Sequence, residues 1–382
     1  MPLLATLRLR APGLRGALLA LLVVALAGCA SAPAAPPQPV PAARPLVELL
    51  ATAVLAPDDG SGARLGGLSG LTWAGGDEFL AITDDKADHG PVRFYRLRVS
   101  WDDSGGGALA VAPPEWVALR DAAGEPLAGE GSDCEGIAVD AAGEIWISSE
   151  GWADRLLPPW VARFDGTGRL IEELSLPGGF APTADRSSGV RDNQALEALD
   201  LTPDGRYLFV GNENALLQDG PSTYDGVASP ARLLRYDLEE RRWDGAWVYL
   251  VEPPHAEPSP GQLRVGGLVE IVALDRENLL SLERSFVKGR GHRVRLFRVR
   301  LAGAEEISGR EALAGSPLPR PVAKELLLDL DELGVEMDNY EGVALGRELP
   351  DGRRLLLIVA DDNFSPHQAN RLLVLAIAPE AL

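Results

Sequence analysis

A chain of 382 residues with 56 acidic against 36 basic side chains carries a formal net charge of −20 at pH 7. Such acidity excludes a nucleic-acid partner and a polybasic grip on anionic lipid. The two cysteines, Cys29 and Cys134, cannot build a disulfide framework.

Residues 1–28 read as a targeting segment. Arg8, Arg10 and Arg15 supply a basic start, and the apolar run over 17–27 is too short to span a bilayer as a permanent helix. The four residues ending at Cys29, from Leu26, match the bacterial lipobox. The segment therefore resembles a lipoprotein signal, which implies acylation of Cys29 and a lipid anchor in the membrane. Ala30 after the cysteine implies sorting to the outer membrane of the cell envelope, facing the periplasm. With Cys29 acylated, Cys134 has no partner and reads as a small buried residue at a strand entrance. Residues 29–45 are rich in Ala and Pro and predict an extended tether. The remaining stretch, 46–382, is long for one compact core, but a repeating architecture reaches that size by adding units.

A hairpin pattern recurs five times along that stretch. Residues 69–73 and 79–83 flank Gly75 and Gly76 and are followed by Asp84 and Asp85. Residues 135–139 and 145–149 flank Gly143 and end before Glu150. The third copy pairs 197–201 with 207–212 across Asp204 and Gly205, then reaches Glu213. The fourth pairs 270–274 with 279–282 across a turn lacking glycine, 275–278, then reaches Glu283. The fifth pairs 341–345 with 355–360 across Asp351 and Gly352, then reaches Asp361 and Asp362. An Asp-Gly pair between apolar runs is a strong hairpin signal. The trailing acids Asp85, Glu150, Glu213, Glu283 and Asp362 recur at residue-number differences of 65, 63, 70 and 79.

Two more strand candidates follow most hairpins: 160–165 and 170–176, 232–238 and 247–251, 293–301 and 325–330. The fifth unit has one, 371–378, and an N-terminal strand over 46–55 completes it. The fold predicted is all-β, a β-propeller of five four-stranded blades closed by that N-terminal strand. A split unit would make the count six. Inner strands between blades should be continuously apolar, as 355–360 is. The outer run 293–301 alternates with one slip at Phe297, read as a bulge.

In such hairpins the start of one strand lies beside the end of the next. Leading acids Glu135, Glu197, Glu270 and Glu341 should thus gather with the trailing acids at one channel mouth. Like charges that close must protonate, pair with cations, or bind a metal ion. Lys86, Arg191 and Arg284 are the cations nearest in sequence. An all-oxygen set suits Ca²⁺, whereas histidines and cysteines at zinc spacing are absent. Ser69 lacks the glycine spacing of a nucleophile elbow, so a glutamate base with a cation on the substrate is the more natural enzyme reading.

The residues at 135–138, 193–199, 204–205, 212–213, 282–286, 339–343 and 361–364 resemble those of the phytase-like domain family, whose members are described as having esterase-like activity. The resemblance runs over about 66–378, in the family's order. It implies catalytic roles for Glu341, Glu197, Glu135 and Arg284. It implies substrate contacts for Asn193, Glu213, Glu283 and Asn363, with Lys86 and Arg191 beside them. Asp84, Asp85, Glu150, Asp361 and Asp362 become the expected metal ligands, with calcium the expected cofactor, since propeller phytases use calcium and basic residues against phosphate. The expected partner is a small ester or phosphoester, handled by a monomer. A non-catalytic binding propeller and a lactonase-like calcium propeller are the alternatives.

Overall fold

The computed structural model describes residues 44–57, 64–103 and 106–382. Cys29, the leader expected over 1–28 and nearly all of the tether expected over 29–45 lie outside the described residues.

Residues 45–382 form one compact unit of five antiparallel sheets. The first blade runs outward through β2 (Leu68–Gly75), β3 (Glu78–Thr83) and β4 (Arg93–Trp101). Its edge is divided between β5 (Leu109–Val111) and β6 (Glu115–Ala118), both paired with β4. The second blade is β7 (Cys134–Val139), β8 (Ile145–Ser149), β9 (Trp160–Phe164) and β10 (Leu170–Leu174). The third comprises β11 (Leu196–Leu201), β12 (Tyr207–Asn212), β13 (Ser229–Asp237) and β14 (Arg242–Val251). The fourth comprises β15 (Arg264–Ala273), β16 (Asn278–Val287), β17 (Gly291–Arg300) and β18 (Ala323–Asp329). The fifth places β19 (Asn339–Glu348), β20 (Arg354–Asp361) and β21 (Arg371–Ile377) beside β1 (Val47–Val54). The N-terminal strand therefore closes the ring as its outermost strand, with Val47 opposite Ile377 and Val54 opposite Arg371. Five blades are present, not six.

Composition explains each strand's place. β20 is apolar and buried along nearly its whole length because it lies between neighbouring sheets. β10 alternates half-buried and exposed residues, as an outer strand does. The glycine-less turn of the fourth blade is held by Asp275, whose Oδ1 accepts the N–H groups of Glu277 (2.7 Å) and Asn278 (2.9 Å). Where glycine is present it supplies a positive φ, +70° at Gly205 and +83° at Gly352. The irregularity expected at Phe297 falls between Leu296 and Phe297, with the additional residue, Leu327, on the opposite strand β18.

Apolar packing lies between blades. Leu280, Leu282 and Leu296 of the fourth blade pack with Tyr340, Val343 and Ile358 of the fifth. Leu71, Phe79 and Tyr95 of the first pack with Leu357 and Val374 of the fifth. Cys134 is a buried free thiol in the layer between the first two blades.

One backbone detail positions the site. The pairing register slips near the same point of every innermost strand: between Leu68 and Gly70, Cys134 and Ile137, Leu196 and Ala198, Leu268 and Glu270, and Tyr340 and Gly342. The additional residue, Ser69, Glu135, Glu197, Val269 or Glu341, sits at a bulge, which re-aims side chains at the end of a strand. The residue after it stands at the neck of the ring. A methyl group on Gly70 would lie 2.3 Å from the Glu135 carbonyl oxygen, and one on Gly136 would lie 2.6 Å from that of Glu197.

Candidate functional site

The bulges correct one expectation. Glu270 is not a mouth residue, because Val269 occupies the bulge position in the fourth blade and Glu270 occupies the neck position that Gly70, Gly136, Ala198 and Gly342 hold elsewhere. Its fully buried carboxylate fills the axis. It accepts N–H groups from Ile271 (3.0 Å), Leu199 of the third blade (3.2 Å) and Leu71 of the first (3.4 Å). Burial pushes this carboxyl well above the usual range.

The same one-residue offset changes the end of β16. In register, Arg284 stands where the other blades place Asp84, Glu150, Glu213 and Asp361, and Glu283 stands one residue short of that position. The fourth blade thus delivers a guanidinium into a ring of carboxylates.

That ring encloses a pocket of about 470 Å³. Of the residues expected from sequence, Asp84, Lys86, Glu135, Asn193, Glu197, Glu213, Arg284, Glu341, Asp361 and Asn363 line it together. Asp133, Ser69, Tyr224, Phe286, His292, Asn339 and Gln368 were not expected there. Asp133 and Asn339 each stand two residues before a leading glutamate. The period-2 alternation of a strand was the signal that could have found them. Tyr224 comes from a loop between strands, and His292 from the next strand outward, where no repeat marks them.

Four expected residues are held elsewhere. The same alternation that turns Asp84 inward turns Asp85 away, where it meets the fully buried Arg93 at 2.6 Å and caps the N–H groups of Asp88 and His89. Asp362, beside Asp361, accepts N–H groups from Gly67 (3.1 Å) and Phe364 (3.0 Å) and pairs with Arg64 at 3.1 Å. Glu283 accepts from Tyr249 (2.8 Å), Lys324 (2.5 Å) and the N–H of Glu252 (3.0 Å). Arg191 donates to the carbonyls of Ala215 (3.0 Å) and Gly220 (2.8 Å) in an adjoining depression of the rim. Glu150 lies just beyond the pocket wall and accepts the N–H of Ala195.

Electrostatics divides the pocket into two parts. On one side Arg284 pairs with Glu341 at 2.6 Å and reaches toward Glu213 at 3.8 Å. Burial opposes its charge, but the carboxylates of Glu341, Glu213 and Glu197 win and raise its pKa. Burial and the neighbouring guanidinium hold His292 down at about 4, a neutral imidazole. Glu213 is raised to about 7 by burial, against the pull of Arg284.

On the other side Lys86 pairs with Asp133 at 2.5 Å. Asp133, Glu135 and Glu150 can each bring one oxygen within 4.8 Å of the others. Burial pushes all three upward, with Glu197 and Asp133 adding to the effect at Glu135, and Asp133 adding to it at Glu150. Asp84 is raised to about 7 by burial, then by Asp133 and Glu341. Its Oδ1 is buried without a hydrogen-bond partner. An orphaned carboxylate oxygen beside three clustered carboxylates fits a hard cation with oxygen ligands, and among the described residues no histidine or cysteine belongs to the cluster.

Residues 63–364 match the model of the phytase-like family, described as esterase-like activity of phytase. This chain belongs to that family. An uncharacterized secreted protein of Arthroderma benhamiae is 25% identical to the phytase-like chain over 187 residues, 41% of this chain and 35% of that one. The chain thus spans little more than a third of that curated relative. Among solved structures, a Dyadobacter fermentans protein of unknown function aligns at 12% identity and a TM-score of 0.40, covering 87% of this chain and all of that one. A Penicillium chrysogenum α-L-arabinanase complexed with arabinobiose aligns at 9% identity and a TM-score of 0.40, with the same coverage. Likenesses this distant bear on no residue of the pocket.

The raised acids set a pH dependence. Asp84 and Glu213 bind protons more tightly folded than unfolded, so their contribution to stability is greatest in acid and is lost as pH rises through about 7. Chelator-treated protein should lose on the order of a few kcal/mol of unfolding free energy between about pH 5 and about pH 8. Asp84→Asn should flatten part of that slope in urea titrations. A stability that rises across this interval would contradict the protonated pocket.

Proposed function

We propose that the chain is an exported hydrolase of small esters, phosphoesters included, acting in the acidic pocket. The observation that carries this reading is the pairing of Arg284 with Glu341 beside acids whose pKa values burial raises, all within one pocket. A carboxylate held by a guanidinium, beside carboxyls that burial makes reluctant to give up a proton, can divide the work of base and acid with them. Glu341, oriented by Arg284, takes the proton of an attacking water. Glu197 or Asp361, each raised by burial and by neighbouring carboxylates, returns a proton to the leaving oxygen. Arg284 holds the anionic oxygens of the substrate, and Asn193 and Asn363 offer amide donors at the pocket wall.

Asp84, Asp133, Glu135 and Glu150 would hold a calcium ion, which when bound supplies positive charge to the substrate's oxygens. Family membership supports the ester class.

Export is part of the same proposal. It is supported by the leader over 1–28, and the matched Arthroderma benhamiae protein is described as secreted. Acylation at Cys29 would anchor the enzyme to the outer membrane with its propeller in the periplasm.

A panel of aryl esters, phosphoesters and lactones, each with and without Ca²⁺, tests the reaction. At least one class should turn over, and Glu341→Gln should lower its kcat about 10²- to 10⁴-fold while leaving the thermal midpoint unchanged. Silence across the panel would favour a binding propeller, and unaltered turnover in Glu341→Gln would remove the base. Calorimetry should show Ca²⁺ uptake that Asp84→Asn weakens; absence of uptake would remove the cation. Labelled palmitate should enter the protein expressed in a bacterial host and be lost in Cys29→Ser. Equal labelling of both would contradict the anchor.

A further inference from the structure

The opposite end of the axis carries a second cavity, larger than the acidic pocket, of about 610 Å³. This is within the roughly 300–1,000 Å³ range of small-molecule sites. Its wall is the far end of the innermost strands. Trp73, Val139, Leu201, Val272, Leu274 and Leu345 form an apolar ring supplied by all five blades. Glu270 and the close-packed neck separate it from the acidic pocket. Leu71 lines the cavity and gives its N–H to the Glu270 carboxylate.

The polar groups of this cavity are few and unbalanced. Asp140, Asp204 and Asp275 stand at the hairpin turns, and Asp200 stands on the wall. Asp200 accepts the N–H of Ala273 from the neighbouring blade at 2.8 Å, and no cation is among its partners. Burial raises it to about 7. Among the described residues, the single guanidinium of the lining, Arg354, donates twice to the Gly346 carbonyl (2.9 and 2.6 Å) and lies over the Trp73 ring with its centre 5.9 Å away. Four carboxylates against one guanidinium leave a surplus of negative charge over an apolar floor. A carboxylate ligand would meet that surplus. A neutral one would leave Asp200 without a counter-ion.

We propose that this cavity binds a small organic cation, an ammonium group on an apolar body, with the ammonium on Asp200 and the body against the ring from Trp73 to Leu345. The acidic turns draw the cation in, and the apolar ring takes up the body once it has shed its water. The site is independent of the hydrolytic pocket, since the neck closes the axis between them.

Three probes of equal length test it: n-hexylammonium, n-hexanol and hexanoate, titrated calorimetrically into the intact protein in mildly alkaline buffer. Hexylammonium should saturate one site and bind at least about tenfold tighter than hexanol, with hexanoate weakest. Asp200→Asn should lose about that tenfold while hexanol is unaffected. Ala141→Trp, at an exposed turn position on the cavity wall, should block all uptake without touching the Asp200 wall. Glu341→Gln, at the other mouth, should leave hexylammonium binding unchanged. Equal affinity for the amine and the alcohol, tighter binding of hexanoate, or no uptake of any probe would overturn the proposal. Binding that survives Ala141→Trp and disappears in Glu341→Gln would place the cation in the acidic pocket and overturn it equally.

Discussion

The close approach of five backbones at the axis governs the rest of the molecule. Five innermost strands can meet only if the neck residues are small, and four of the five are Gly70, Gly136, Ala198 and Gly342. The fifth is Glu270, whose side chain occupies the space the others leave and satisfies amides from three blades. A buried carboxyl is tolerable there because it receives three N–H groups and can keep its proton. The neck also explains why each innermost strand is bulged just before it. The additional residue turns the leading side chains toward the mouth while the following one presses against the next blade.

Crowding at the mouth follows from this geometry. Strands that converge on a neck bring their first and last residues together, so Asp84, Glu213, Glu341 and Asp361 share one enclosure with Glu135 and Glu197. Lys86 and Arg284 are too few to neutralise them, and protonation or a bound cation must supply the balance. Arg284 is positioned by an accident of register that becomes an asymmetry of function. Because the fourth blade is offset by one residue, its carboxylate Glu283 goes to Lys324 and Tyr249, and its guanidinium goes to the pocket. The enclosure thus has a guanidinium corner on one side and, on the other, a cluster of carboxylates with Lys86 at its edge.

Much of this was legible in the sequence. The Asp-Gly turns, the unbroken apolar run of β20 and the recurrence of trailing acids together predict five hairpins, and the spare strand over 46–55 predicts how the ring closes. What the sequence concealed is the register within each unit. Matching the hairpins by their acids aligned Glu270 with Glu341 and Glu283 with Asp362, since a carboxylate was the most visible mark in each. Every innermost strand is bulged at the same point, but in the fourth blade the bulge holds Val269 and the acid follows it, so matching by carboxylates places Glu270 one position out. Alternation also decides between adjacent acids: of Asp84 and Asp85, or Asp361 and Asp362, one faces the pocket and the other faces a buried arginine or a loop amide. Residues such as Tyr224 and His292 arrive from elements with no repeat to flag them, and only tertiary structure places them at the wall.

Burial raises the proton affinity of Asp84, Glu135 and Glu150, so a cation that enters among them must compete with protons. Proton release on calcium binding tests it most directly, measured by titration calorimetry of chelator-treated protein in two neutral buffers of different ionisation enthalpy. A cation entering a cluster of protonated acids must expel protons, so the observed heats should differ between buffers by at least one proton per calcium bound. Heats that coincide in the two buffers, with calcium bound, would mean that these carboxylates were ionised beforehand and that burial does not hold their protons.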